Sequence, residues 1–467
     1  MSGENKSAYP FFIIVGSLVC LLALSQLNYT FSYKDFQFRK LDMLSELRTA
    51  NPGTDHKGLT TDKTGGKPSH LDSATATNQA GAPNPDAVHD FMSYGGILNY
   101  ASPQTGDNTA GIQRFLTALR ELKEGKRKKV RIAYFGDSMI EGDLITSDLR
   151  DSLQTYFGGA GVGFVPVTSV VASFRTTINH TFSGNWKDYH YKNSPPSDIT
   201  LGFSGHTFYP GSDSWVKYSP VRKPHLDKFD EVSLLYGPAE ATTVSINDKA
   251  YTLSGGAPVN KLDLRQDTGF PSIVLKYAGG PAAPLFGVCF EEEQGIYVDN
   301  YSFRGISGVE LGHLSADMVR RMQQERPYDL VVLHYGANVL FRPELTDYSW
   351  YERPMRKVVD SLRNDLPGTS FLIVGTADKS YKKSDRYITA PGVGALLKVQ
   401  HDLAAENGTA YWNLFAAMGG EGSMTHWVEG DTVLANKDYT HFNRQGAARV
   451  GALLYKAIMN DYRALQP

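Results

Sequence analysis

The apolar periodicity of the chain changes twice, and that change restricts the fold more than any single motif does. A helical face through Ile112, Phe115, Leu116, Leu119 and Leu122 leads into the run KKVRIAYF, and a second helical repeat follows through Leu144, Leu149, Leu153 and Phe157. Over residues 167–299 the texture becomes short alternating runs, EVSLLYG, TTVSIND, SIVLKYAG and FGVCFEE, broken by Gly, Pro, Asp and Asn. Such runs predict the strands of an antiparallel sandwich. From residue 300 helical patterns (SADMVRRMQQERP, MRKVVDSLRNDLPG) again alternate with buried-strand runs (YDLVVLHYG, SFLIVGT). Neither α/β portion would be complete alone. Residues 91–166 and 300–467 are therefore read as one α/β domain, interrupted by a β domain at 167–299.

The apolar run at residues 11–27, FFIIVGSLVCLLALSQL, is long enough to span a bilayer or to serve as a signal-peptide core, and predicts export. Lys34, Arg39 and Lys40 follow it while only Lys6 precedes it. Taken literally the positive-inside rule opposes export, but large domains often translocate regardless. No cleavage region stands apart from the apolar core, so a membrane anchor with a cytoplasmic tail at 1–10 is preferred over a cleaved signal. Residues 28–90 are read as a largely disordered spacer, since from about residue 50 to 89 the chain is Gly, Pro, Thr, Ser and Asp with almost no large apolar residue. The expected location of the folded part is extracytoplasmic, in the periplasm or cell envelope.

With 47 basic and 49 acidic residues the net charge is -2, which gives no electrostatic reason to bind nucleic acid. A neutral, polar partner such as carbohydrate fits better. In the β-rich stretch Trp186, Tyr189, Tyr191, Trp215 and Tyr218 offer sugar-stacking faces on one reading, and core or turn packing on the other. Of the two cysteines, Cys20 lies in the apolar run, which leaves Cys289 without a soluble partner. A disulfide framework and a cysteine zinc site are thereby excluded, and nothing calls for a metal or an organic cofactor.

VRIAYF stops at Gly136-Asp137-Ser138 and turns into a helical pattern. Alone, that is a good turn and helix cap. A nucleophilic serine needs in addition a base to take its proton and donors to stabilise an oxyanion. His441, three residues after Asp438 in NKDYTHFNRQG, supplies a base that a carboxylate can orient. Asn338, in LHYGANVL at the end of an apolar strand, and Gly308, in RGISGVEL, supply donors. Each also has a plain counterpart: a solvated helix start, a turn, a loop glycine.

In order, GDSM, GISG, GAN and DYTH resemble the four blocks of the SGNH (GDSL-like) hydrolases. The resemblance implies a flavodoxin-like three-layer α/β/α fold and acyl-ester chemistry. It implies Ser138 as nucleophile, His441 as base and Asp438 as its orienting group. The oxyanion hole would combine the N–H groups of Ser138 and Gly308 with the Asn338 amide. Two residues depart from the family pattern: Met139 replaces the usual Leu, and Val339 stands where many members have Asp. The stretch GDSMIEGDLITSDLRDSLQTYFGGAGVGFVPV, followed by a β-rich insert, is similar to the peptidoglycan O-acetylesterase branch, whose members carry a carbohydrate-binding-module-like β-sandwich there. The expectation is an exported esterase removing O-acetyl groups from peptidoglycan or another envelope polysaccharide through an acyl-serine. Two alternatives use the same residues: an O-acyltransferase served by a membrane-bound acyltransferase partner, and an inactive glycan-binding envelope protein.

Overall fold

A computed structural model describes residues 90–101, 109–193 and 195–465, together with the backbone of a two-stranded ribbon, Ser32–Tyr33 and Phe36–Gln37. The ribbon belongs to a separate unit, Met1–Ala80, and everything below concerns Gly81–Pro467. The segment 11–27 and nearly all of the spacer 28–90 lie outside the described residues. Among those described, no helix is long and apolar enough to cross a membrane.

Six strands form the central sheet: β1 (Ile97–Asn99), β2 (Lys129–Gly136), β3 (Gly295–Ser302), β4 (Leu330–His334), β5 (Ser370–Gly375) and β6 (Ala410–Asn413). Their order is β3-β2-β4-β5-β6-β1, with every pair parallel except β6 with β1. Counted from β2, the parallel strands run second, first, third, fourth, fifth, which is the flavodoxin-like order. Alternate residues of β2 face opposite cores. Val130, Ile132 and Tyr134 pack under α1 (Gln113–Lys123), α2 (Thr146–Phe157) and α6 (Arg444–Ala464). Ala133 and Phe135 pack under α3 (Ala316–Glu325), α4 (Ser349–Asp365) and α5 (Gly392–Glu406). Because both faces are covered, these strands read as continuous apolar runs. The fold is the α/β/α class expected from the sequence.

The β-rich stretch forms two antiparallel sheets. One orders Asn260–Arg265, Glu231–Tyr236, Leu285–Glu291, His206–Tyr209 and Lys187–His190; the other orders Lys249–Gly255, Ala239–Ile246, Ile273–Gly279, Trp215–Ser219 and Asn179–Phe182. Val232, Leu234, Val288 and Phe290 of the first share a core with Val216, Val244 and Leu275 of the second. The opposite face of the first sheet, through Leu235, Phe286 and Cys289, joins the core of the α/β domain beside Phe135 and Tyr301. Cys289 is buried in this seam, and burial pushes its thiol up to about 12.

Two boundaries differ from the sequence expectation. Gly163–Pro166 pairs with Leu285–Glu291 of the insert, whereas Gly295–Ser302 runs parallel to β2. The strands of the inserted sheets therefore run from Gly163 to Glu291, against the expected 167–299. Sheet membership is decided by the pairing partner, and composition does not record it. Across the seam Glu291 accepts from Lys129 (2.9 Å), Arg131 (2.8 Å) and Arg326 (2.6 Å), and Arg326 also binds Asp299 (2.6 Å).

Candidate active site

β2 and β4 are neighbours whose chains leave to opposite faces of the sheet, so a crevice opens beyond their carboxyl ends. Gly136 closes β2 opposite His334 and Ser302. A Cβ at this glycine would lie 3.0 Å from the His334 carbonyl and 2.9 Å from the Ile140 side chain, so the turn that delivers Ser138 needs a residue without one.

Ser138 does not cap a helix. The Ile140 N–H donates to Asp137 O (3.3 Å), Met139 N–H donates to Asp137 Oδ1 (2.9 Å), and α2 begins only at Thr146. The Ser138 Oγ instead lies 2.9 Å from His441 Nε2. His441 Nδ1 lies 2.7 Å from Asp438 Oδ2, and Asp438 Oδ1 accepts from the N–H groups of Thr440 and His441, both at 3.0 Å. The start of α6 is capped by Asn443, whose Oδ1 accepts from Gly446 N–H at 2.9 Å. Asp438 is thus not consumed as a helix cap. Burial opposes its ionisation, yet the hydrogen bonds from the His441 N–H and ring and from Thr440 hold it below the ordinary carboxylate range. An ionised Asp438 keeps the imidazole proton on Nδ1 and directs the Nε2 lone pair at the Ser138 hydroxyl.

Tyr439 lies between these residues with φ +54°, a strained conformation for an aromatic residue. Its ring stacks on Tyr387 at 3.5 Å between centroids, and its hydroxyl donates to Glu429. Those contacts hold the turn. Sequence reading gave Tyr439 no role, because no local signal marks a residue whose support comes from Tyr387, 52 positions away in the chain.

The three expected oxyanion donors are not equivalent. Ser138 N–H has no hydrogen-bond partner among the described residues. The Asn338 amide donates to Asp137 Oδ2 (2.9 Å) and to Ile306 O (3.0 Å). Gly308 N–H donates to Glu310 Oε2 (3.1 Å), a carboxylate that also accepts from the N–H (3.0 Å) and hydroxyl (3.1 Å) of Ser307. Gly308 has φ +98°, and a Cβ there would come within 2.6 Å of the Tyr335 ring. Val339 is buried in the apolar core and donates its N–H to Gly336 O at 3.0 Å, so core packing and a turn hydrogen bond anchor the Asn338 loop.

Asp137 was missed in the sequence although it is the middle residue of Gly-Asp-Ser. It is fully buried, and burial pushes its carboxyl up to about 6 against the hydrogen bonds from Met139 and Asn338.

The aromatic residues of the insert divide. Tyr218 is buried and its hydroxyl donates to Pro166 O (2.9 Å), while Tyr191 is buried against Phe303. Both are core, Tyr218 on the inward face of its strand and Tyr191 in the turn after Lys187–His190, and neither is available for sugar stacking. Trp215 is 37% exposed, Trp186 donates its indole N–H to Trp215 O (3.1 Å), and Tyr189 packs edge-on against Tyr209. Among the described residues no group of three or more His, Cys, Asp or Glu is arranged to hold a metal ion.

Residues 268–449 match the family model of the GDSL-like lipase/acylhydrolases, a stretch that includes Gly308, Asn338, Asp438 and His441 but not Ser138. This match, the fold and the Ser138–His441–Asp438 geometry together support a serine esterase of the SGNH hydrolase type in the α/β domain. Among solved structures, "Peptidoglycan O-acetylesterase in action, 5 min" superimposes with a TM-score of 0.64 at 22% identity, covering 79% of this chain and 99% of that one. That likeness shows the shared fold. A family two carbohydrate esterase from Cellvibrio japonicus (TM-score 0.26, 9% identity, 62% of this chain and 99% of that one) and the acetyl xylan esterase AlAXEase (TM-score 0.27, 18% identity, 35% and 81%) are far more distant. No curated protein matches the chain by sequence.

Proposed function

We propose that this protein is an exported serine esterase that removes O-acetyl groups from peptidoglycan or another O-acetylated envelope polysaccharide. The observation that carries the chemistry is the continuous chain from Ser138 Oγ through His441 to Asp438, at 2.9 and 2.7 Å. His441 takes the Ser138 proton as the oxygen attacks the acetyl carbonyl, and the imidazolium then protonates the departing sugar oxygen. Acetyl-Ser138 forms. Water, deprotonated by His441, attacks it to release acetate and restore the serine. The oxyanion accepts from Ser138 N–H. It draws the Asn338 amide from Ile306 O and Gly308 N–H from Glu310, so these two donors become available as charge develops.

The glycan substrate is supported by the fold likeness to a peptidoglycan O-acetylesterase, and export by the apolar run at 11–27. The test is acetate release from O-acetylated peptidoglycan by wild type and Ser138→Ala. Loss of release in the variant is the expected result. Hydrolysis of p-nitrophenyl acetate without any acetate from the glycan would sink the substrate assignment, and failure on both would sink the catalytic roles.

A further inference from the structure

Beyond the end of β5, three consecutive residues bind three different segments. Asp378 Oδ2 accepts from Met424 N–H at 2.7 Å. Ser380 N–H donates to Tyr439 O at 3.1 Å, inside the turn that carries Asp438 and His441. Between them, Lys379 Nζ donates to Leu340 O at 2.8 Å and to Ala337 O at 3.4 Å, the carbonyls on either side of Asn338 and Val339. One short segment therefore reaches both the loop of the expected oxyanion amide and the turn of the expected base. Met139, the neighbour of Ser138, and Thr440, the neighbour of His441, line one small cavity with Lys379, Ala337 and Leu340.

The Asn338 loop depends on that lysine. Val339 and Leu340 are buried, which fixes its apolar side, and their N–H groups both donate to Gly336 O at 3.0 Å, which closes the turn on itself. The Asn338 amide is held by Asp137 and Ile306, and it must leave Ile306 O to reach an oxyanion. Among the described residues no group other than Lys379 donates to Ala337 O or Leu340 O.

Lys379 is also placed to stay charged. It is half-buried, and among the described residues its ammonium has no carboxylate partner. Taking an ammonium partly out of water is costly unless its protons are bonded. Burial pushes Lys379 below the ordinary lysine range, and the charges of Asp438 and Asp137 act against that. The two carboxylates of the site thus favour the cation, and a cation makes the stronger hydrogen bonds to the loop carbonyls.

We infer that Lys379 is a positioning residue for the esterase reaction: it holds the Asn338 loop in register with the Asp438–His441 turn while the amide moves from Ile306 O to the oxyanion. The inference rests on the esterase reading above and adds what keeps donor and base together.

The experiment is a double-mutant cycle on full-length protein, with p-nitrophenyl acetate as substrate. Lys379→Met keeps the length of the side chain and removes its charge and donors. It should lower kcat about tenfold and leave KM within about twofold, because a displaced donor is felt in the transition state. In the Asn338→Ala background, where the amide is already gone, the same substitution should cost less than about twofold. An equal loss in both backgrounds, or no loss beside an intact Asn338, would overturn the role. If Lys379→Met fails to fold, Lys379→Gln, a shorter neutral donor, is put through the same cycle. Hydrogen exchange over residues 336–341 reads the clamp without catalysis: it should speed up in the variant, and unchanged exchange would remove the clamp. Absence of hydrolysis by wild type would remove the esterase reading, while the exchange still decides whether Lys379 holds the loop.

Discussion

The Asn338 amide lies 2.9 Å from Asp137 Oδ2, and this contact joins the loop after β4 to the loop after β2. Its second N–H reaches Ile306 O on the segment that follows β3. Three loops from three neighbouring strands therefore meet at one amide, next to Ser138. The buried carboxylate of Asp137 fixes where Asn338 stands relative to the nucleophile.

Asp137 makes stability depend on pH in an unusual direction. Its folded value of about 6 lies above the ordinary 3.8, so its contribution is fully present below the ordinary value and is lost as pH rises through about 6. The difference amounts to about 3 kcal/mol. Denaturant titrations of wild type and Asp137→Asn should show the stability difference moving toward the variant by that order between pH 4 and pH 8. Any constant packing cost cancels in this comparison, and a flat difference would contradict the burial effect. Asp137→Asn also loses the anionic acceptor for Asn338 and should lower kcat roughly tenfold or more.

Ser138→Ala should reduce ester hydrolysis by a factor of at least about 10³, and Asp438→Asn should cost on the order of 10⁴ by leaving His441 in the wrong tautomer. Steady-state release of p-nitrophenol measures both. A residual rate above a tenth of wild type in Ser138→Ala would assign the chemistry elsewhere.

Gly308→Ala places a methyl group 2.6 Å from the Tyr335 ring at a φ of +98°. The substitution should destabilise the protein by more than about 1 kcal/mol. Displacement of the N–H should lower kcat by about 10². Thermal unfolding and initial rates read the two effects separately.

Glu291→Ala leaves Arg131 and Arg326 buried without their shared carboxylate. Breaking such a network costs roughly 3–5 kcal/mol, and hydrogen exchange should report loosening along Leu285–Glu291. Burial opposes ionisation of Glu291, but Arg131 and Arg326 hold it well below the ordinary carboxylate range. Its stabilisation is therefore present above that range and lost as pH falls, the opposite sense to Asp137.

Much of the fold was legible in the residues. VRIAYF and DLVVLH are apolar on both faces because helices cover both sides of the sheet, and the helical repeats on either side of the insert announced those layers. The ends of the insert were less legible. IYVDNYS belongs to the α/β sheet and GFVP to the insert, although neither differs in composition from its neighbours.

At the site, spacing alone placed Asp438 beside His441, since a three-residue turn brings the two side chains together. Sequence order also listed Ser138, Gly308 and Asn338, but it carries no information on what else competes for their donors. Only the folded chain engages Gly308 with Glu310 and Asn338 with Asp137 and Ile306, buries Tyr191 and Tyr218 in packing, and brings Lys379 to the carbonyls on either side of Asn338. Hydrophobic period and turn chemistry are local properties, so the sequence determined the elements and the block order of the site. Hydrogen-bond partners and burial depend on residues tens to hundreds of positions apart, so only the tertiary structure decided which donors are free and which side chains reach solvent.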